Sequence, residues 1–176
     1  MRRGRLKLVL IGALFALPVA AGWIAYLTGK VPGRTSNYGT LLSPRPIASA
    51  PLAALRGKWV LVTFDGGACG AQCERKLYYL RQVRRAQGKD MNRVERLWLL
   101  TDGVAPKGEL LAAIEGTRIA RAGAGDAAAF AAGNAASDHI YLVDPLGNLM
   151  LRFERDPDPA KMVKDLERLL KYSSFG

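Results

Sequence analysis

Histidine occurs once and cysteine twice in 176 residues. A structural zinc site takes four N or S ligands, so two Cys and one His argue against one in this chain. No Ser/His/Asp arrangement, phosphate-binding glycine loop or pair of catalytic carboxylates is found, which leaves hydrolase and nucleotide chemistry without residues to carry it. Acid is short as well, because 15 Asp and Glu stand against 26 Lys and Arg, a net charge of +11. No nucleic-acid motif or aromatic-rich basic strand accompanies that charge, so nucleic acid is not an expected partner. Internal repeats are absent too. The chain is nevertheless 49% hydrophobic and 23% charged, a composition that folds.

Charge is missing altogether from Leu8 to Leu27, a run of 20 residues. That length crosses a hydrocarbon core of ~30 Å. A cleaved signal peptide has a shorter apolar region ending in an A-x-A-like site. Ala20, Ala21 and Gly22 offer small residues, but Trp23, Ile24, Tyr26 and Leu27 continue the apolar run, and Trp23 and Tyr26 suit the far interface. The expectation is an uncleaved anchor over residues 8–28, with Pro18 a site for a kink, behind a basic cytoplasmic tail over residues 1–7. Arg2, Arg3, Arg5 and Lys7 hold that tail inside, and the domain that follows is exported. The predicted protein is single-pass in a bacterial inner membrane, with its domain in the periplasm. That compartment is oxidising, so two neighbouring cysteines there can form a genuine disulfide.

Residues 29–51 contain four prolines among Gly, Ser and Asn and read as an extended linker and entry segment. The domain spans 52–176. Its first strand is the Val-rich run Trp59 to Phe64, followed by a glycine-rich loop with both cysteines. Leu77, Leu80, Val83 and Ala86 recur on a basic background and predict an amphipathic helix from about Gly70 to Gln87, its face of Arg81, Arg84 and Arg85 reading as solvated. Val94 to Leu100 is a second buried strand. A short helix after Pro106, a strand in "TRIARAG" and an alanine-rich helix in "GDAAAFAAGNAA" come next. "HIYLVDPLGNLMLRF" is a hairpin, and a last helix places Met162, Val163, Leu166, Leu169 and Leu170 on one face. The order β, α, β, α, β, α, β, β, α predicts an α/β fold of thioredoxin-like type, a central mixed sheet flanked by helices. Trp59 and Trp98 are expected in its core.

In "DGGACGAQCE", Cys69 and Cys73 are four apart, at the head of a helix and past the carboxyl end of a strand, where open α/β sheets keep their chemistry. The spacing brings both sulfurs to one side of the first turn, close enough for a disulfide or a shared metal. The helix N-terminus, Arg75 and Lys76 favour the thiolate. A staple closing so short a loop stabilises little, well under the ~3 kcal/mol of a 15-residue loop. Asp65 is a turn residue or a group that orients the loop. His139 opens the strand that approaches the cysteine loop in a thioredoxin-like fold, and Asp138 beside it is placed to hydrogen-bond the imidazole and orient it or to face water.

"LRGKWVLVTF", the Cys-x-x-x-Cys loop, the amphipathic helix, "RVERLWLLTD" and "DHIYLVDPLGN", behind one anchor, resemble the Sco/SenC proteins, thioredoxin-fold copper chaperones for the copper A centre of cytochrome c oxidase. The likeness runs from about Leu52 to Leu170. It implies copper as cofactor, Cys69, Cys73 and His139 as its ligands, and an oxidase subunit or another exported cysteine protein as partner. Gly70 and Glu74 stand where the family carries proline. Only Ile140 separates His139 from Tyr141, so the pleat of the strand decides which way the imidazole projects. Three functions stay open: a copper-binding assembly factor, a thiol-disulfide oxidoreductase without metal in which Cys69 and Cys73 are catalytic, and a redox-inert scaffold for a respiratory-complex partner. A metallochaperone is favoured over an enzyme.

Overall fold

The computed structural model describes residues 2–28, 37–131 and 135–173. The chain divides into two units, Met1–Ser36 and Asn37–Gly176. In the first, Arg2–Leu27 is one helix, α1, that runs through Pro18. Its stretch Lys7–Leu27 is long and apolar enough to cross a membrane, with a mean hydropathy of 2.3.

The predicted linker is only partly a linker. Residues 29–36 of it lie outside the described residues, but Thr40–Pro46 forms a strand, β1. Mostly exposed and interrupted by a register shift between Leu41 and Arg45, β1 carries no alternation from which a strand could be read. It is an edge strand, where Pro44 and Pro46 interrupt no central ladder. After it Ile47 and Leu52 are buried, the latter in the single turn of α2, Ala50–Ala53.

The remaining elements follow the predicted order. Trp59–Asp65 is β2, Ala71–Ala86 is α3, Val94–Leu100 is β3, Gly108–Ala113 is α4 and Arg118–Arg121 is β4. Asp126–Phe130 is α5, shorter than the alanine-rich helix expected there; residues 132–134 of that segment lie outside the described residues. The hairpin is β5, His139–Val143, and β6, Asn148–Glu154. Its turn holds because Asp144 Oδ1 accepts the Leu146 and Asn148 N–H groups at 2.9 and 2.7 Å, and Gly147 takes the left-handed backbone at φ +88°. The last helix, α6, Pro159–Tyr172, starts where Asp158 caps the Ala160 and Lys161 N–H groups, with Pro159 in its first turn.

Six strands form one mixed sheet in the order β1-β6-β5-β2-β3-β4. β2, β3 and β4 are parallel, and the β5–β6 hairpin runs antiparallel beside β2. Both faces are covered. Val60, Val62, Phe64, Leu97, Leu99 and Tyr141 pack with Leu55 and Phe130 on one face. Leu61, Ile140 and Leu142 pack on the other with Leu80 and Val83 of α3 and Met162, Leu166 and Leu170 of α6. Trp59 and Trp98 are both buried, as expected of core residues.

Candidate functional site

The parallel register aligns Asp65 with Leu100 and Leu100 with Arg121, so the loops leaving β2 and β3 meet at the carboxyl ends of the parallel strands. The β2 loop carries the cysteines, and a clasp from the β3 loop closes it. Asp102 Oδ1 accepts the Gly67 N–H at 2.9 Å and the Val104 N–H at 3.1 Å. The two loops approach so closely that a Cβ on Gly67 would run into the Val104 carbonyl oxygen. This close approach is why Gly67 is a glycine.

Cys69 and Cys73 are joined in a disulfide, their Cα atoms 5.1 Å apart. Both are nearly buried, at 7% and 4% exposure, against Leu77, Trp98 and Ile114. Cys69 sits at φ +39°, left-handed backbone that costs a non-glycine residue about 1–2 kcal/mol; such residues cluster at functional sites. Gly70 is the N-cap of α3 and has no side chain with which to cap it. The amides of the first turn, with Cys73 among them, are therefore a ready field for a thiolate. Beside Cys69 lies a groove of about 280 Å³ lined by Glu74, Lys107, Glu109 and Leu110. Cys69 lines this groove and Cys73 does not.

Beneath the loop is a buried ion pair that reading the sequence missed. Lys76 follows Cys73 by one helical turn, and its Nζ donates to Asp65 Oδ2 at 2.7 Å and to the Ser137 carbonyl at 2.6 Å. Only 2% of the Lys76 side chain and 16% of the Asp65 side chain is exposed. Burial outweighs pairing for both partners: it raises the Asp65 carboxyl, against the pull of Lys76, and lowers the Lys76 ammonium, against the pull of Asp65. Asp65 is thus more than a turn residue: its carboxylate anchors a helix lysine, and its carbonyl accepts from Trp98 Nε1 at 3.3 Å. The signal was available, since Lys76 interrupts the apolar side of α3 between Cys73 and Leu77.

His139 is not brought to the cysteines. Strand alternation places it on the face of Tyr141 and Val143, and its ring lies 6.0 Å from that of Tyr141. Cys73 and α3 cover the opposite face. The imidazole Nδ1 lies 3.3 Å from the Phe153 carbonyl and 3.9 Å from Glu154 Oε2. Burial, with Arg152 nearby, lowers its pKa and favours the neutral ring. Asp138 forms an ion pair with Arg155. Among the described residues, no three of His, Cys, Asp or Glu are grouped to hold a metal ion. The residues expected to form a three-ligand copper site therefore give two sulfurs in one place and an imidazole in another.

The family model for the transmembrane-like, thioredoxin-like C-terminal domain matches residues 59–173. The chain belongs to that family. Solved structures of Sco proteins share its fold. Copper-bound ScoI of Bradyrhizobium japonicum is 20% identical, with 73% of this chain and 99% of that one covered and a TM-score of 0.52. Copper-bound yeast Sco1 is 16% identical over 78% and 90% of the two chains, with a TM-score of 0.56. Apo Sco1 of Thermus thermophilus is 18% identical over 79% and 98%, with a TM-score of 0.53. No curated protein matches the chain. The likeness to Sco/SenC proteins read from the sequence thus holds as a shared fold, at the identity of a divergent member.

Proposed function

We propose that the protein is a membrane-anchored periplasmic thiol-redox factor that serves assembly of the copper A centre of cytochrome c oxidase, with Cys69 and Cys73 as its reactive pair. The observation that carries this reading is the Cys69–Cys73 disulfide, which ties the β2 loop to the first turn of α3 in a Sco-like fold, with Cys69 lining a groove. Copper binds thiolates, so a receiving site oxidised to a disulfide must be reduced before it is loaded. In the reduced protein the Cys69 thiolate attacks one sulfur of the partner disulfide, and the partner's other sulfur leaves as a thiolate that takes up a proton. The Cys73 thiolate then attacks Cys69 Sγ, releasing the partner's second thiolate. Two electrons and two protons pass to the partner, and Cys69–Cys73 is left as the disulfide. An exported dithiol restores the reduced form.

Cys73→Ser, which removes the resolving thiol, is expected to accumulate a mixed disulfide with its partner, while Cys69→Ser accumulates none. A reduction potential below about −300 mV with no trapped species would instead mark an inert bridge and a scaffold.

Direct copper carriage is the second reading, favoured by the copper-bound members among the structures that share the fold. Two thiolates suit copper, and imidazole adds to them. Cys69 and Cys73 would hold the cargo, and His139 would join only by leaving the face of Tyr141. Titrating the reduced full chain with Cu(I), with and without His139→Ala, separates the cases. Loss of stoichiometric uptake in His139→Ala assigns the third ligand, unchanged uptake assigns the two sulfurs alone, and no uptake by either protein removes the reading.

A further inference from the structure

At the amino ends of the parallel strands, opposite the end that carries the cysteines, the end of α3 faces the start of β3 across a cleft of about 270 Å³ lined by Arg81, Arg84, Arg85, Arg96, Glu115 and Gly116. Among the described residues, Arg81 Nη1 donates to the Ala113 carbonyl at 2.9 Å and Arg84 Nε to that of Val94 at 2.6 Å. A guanidinium has five donors, so these bonds position the two side chains without exhausting them. Basic residues in the last turn of α3 complement the helix dipole, which accounts for Arg84 and Arg85.

It does not account for Arg96. This arginine on β3 is 3% exposed, and its Nη2 donates to the Glu115 carbonyl at 2.7 Å. Its Nε and Nη1 are buried and meet no partner among the described residues. Burial and the neighbouring Arg84, Arg81 and Arg85 push its pKa down to about 10, so the group remains charged at neutral pH. A native fold rarely keeps a buried charge with orphaned donors beside three like charges unless something else satisfies it.

We propose that this cleft binds a phosphate-type oxyanion. Four guanidinium groups against the carboxylates of Glu115, in the lining, and Glu95, which acts on Arg96 but is shared with Arg118, leave an excess of positive charge that one carboxylate ligand would not neutralise. A phosphate group brings up to two charges and several oxygens in the spacing a guanidinium fork matches. A free phosphate compound and the headgroup of an anionic phospholipid both present this group. The site is remote from the disulfide and independent of the redox reading.

Full-length protein in a nonionic detergent is to be titrated with inorganic phosphate at constant ionic strength against chloride, following the thermal unfolding midpoint. A saturable rise is expected in the native protein and none in Arg96→Met, which keeps the bulk of the stem without the guanidinium. Arg85→Gln, exposed and outside the packed core, is expected to weaken binding about tenfold, as loss of one charge-assisted contact does, and it supplies the answer if Arg96→Met does not fold. Reactivity of Cys69 and Cys73 toward a thiol reagent after reduction stays unchanged in both variants. A parallel titration with short-chain phosphatidylglycerol against phosphatidylcholine distinguishes the sources: tighter binding of the anionic lipid than of phosphate assigns a headgroup, and the reverse assigns a soluble phosphate. No saturable effect of either anion beyond chloride, or an effect kept in both variants, overturns the proposal.

Discussion

Lys76 carries its ammonium to a position where 2% of the side chain is exposed, and an unpaired charge there would cost several kcal/mol. Asp65 supplies the counter-charge, and the Ser137 carbonyl a second acceptor. Lys76→Met strands the Asp65 carboxylate and is expected to destabilise the fold by about 3 kcal/mol in urea unfolding. Adding Asp65→Asn recovers a large part of that loss, because the charge to be stranded is gone. His139 gives a pH signature of opposite origin. Its folded pKa lies below the ordinary imidazole value of about 6.5, so as pH falls through that value the unfolded chain takes up a proton first. Its contribution to stability is therefore full above about pH 6.5 and declines as pH falls toward the depressed folded value. His139→Gln is expected to flatten the fall of the unfolding midpoint between about pH 7 and pH 5, where imidazole titrates.

At the scale of elements, β1 and α6 depend on each other. Asp165 of α6 is 3% exposed and accepts the backbone N–H groups of Tyr38 and Gly39 at 3.1 and 2.8 Å. Tyr38 accepts the Asp158 N–H in turn, at the cap of the same helix. A carboxylate on the last helix thus seats the segment that leads into the edge strand, about 126 residues earlier in the chain. Asp165→Ala leaves two backbone donors unsatisfied and is expected to cost about 2 kcal/mol. Hydrogen exchange should show that loss first in the amides of β1, which α6 no longer holds, while those of β2 and β3 stay protected. The element that bears the cysteines is built differently: α3 leaves its N-cap uncapped and seats Lys76 on Asp65 instead.

At the scale of the whole molecule, the basic tail and the proposed export of the domain make one prediction together. Neutralising Arg2, Arg3, Arg5 and Lys7 removes the charge bias across α1. A C-terminal alkaline phosphatase reporter, active only after export, is expected to lose most of its activity in that variant. Much of the molecule was legible from local pattern. Leu8 to Leu27 announced the apolar helix, the Val-rich run before "DGGACGAQCE" announced β2, Val94 to Leu100 announced β3, and Asp144 to Asn148 announced the hairpin, because periodicity and turn chemistry act over a few residues. β1 was not legible: its partners are Arg152, Leu151, Leu149 and Asn148, and an exposed edge strand has no periodicity to betray it. Nor was the face on which His139 lies, or the partner of Lys76, or the orphaned donors of Arg96. By itself the sequence determined that two cysteines would stand four residues apart at the head of a helix, since spacing along a helix is local geometry. Only the tertiary structure decided that the imidazole would lie on the other face of the sheet and the guanidinium would be buried, since strand register and layer packing join residues that the chain holds far apart.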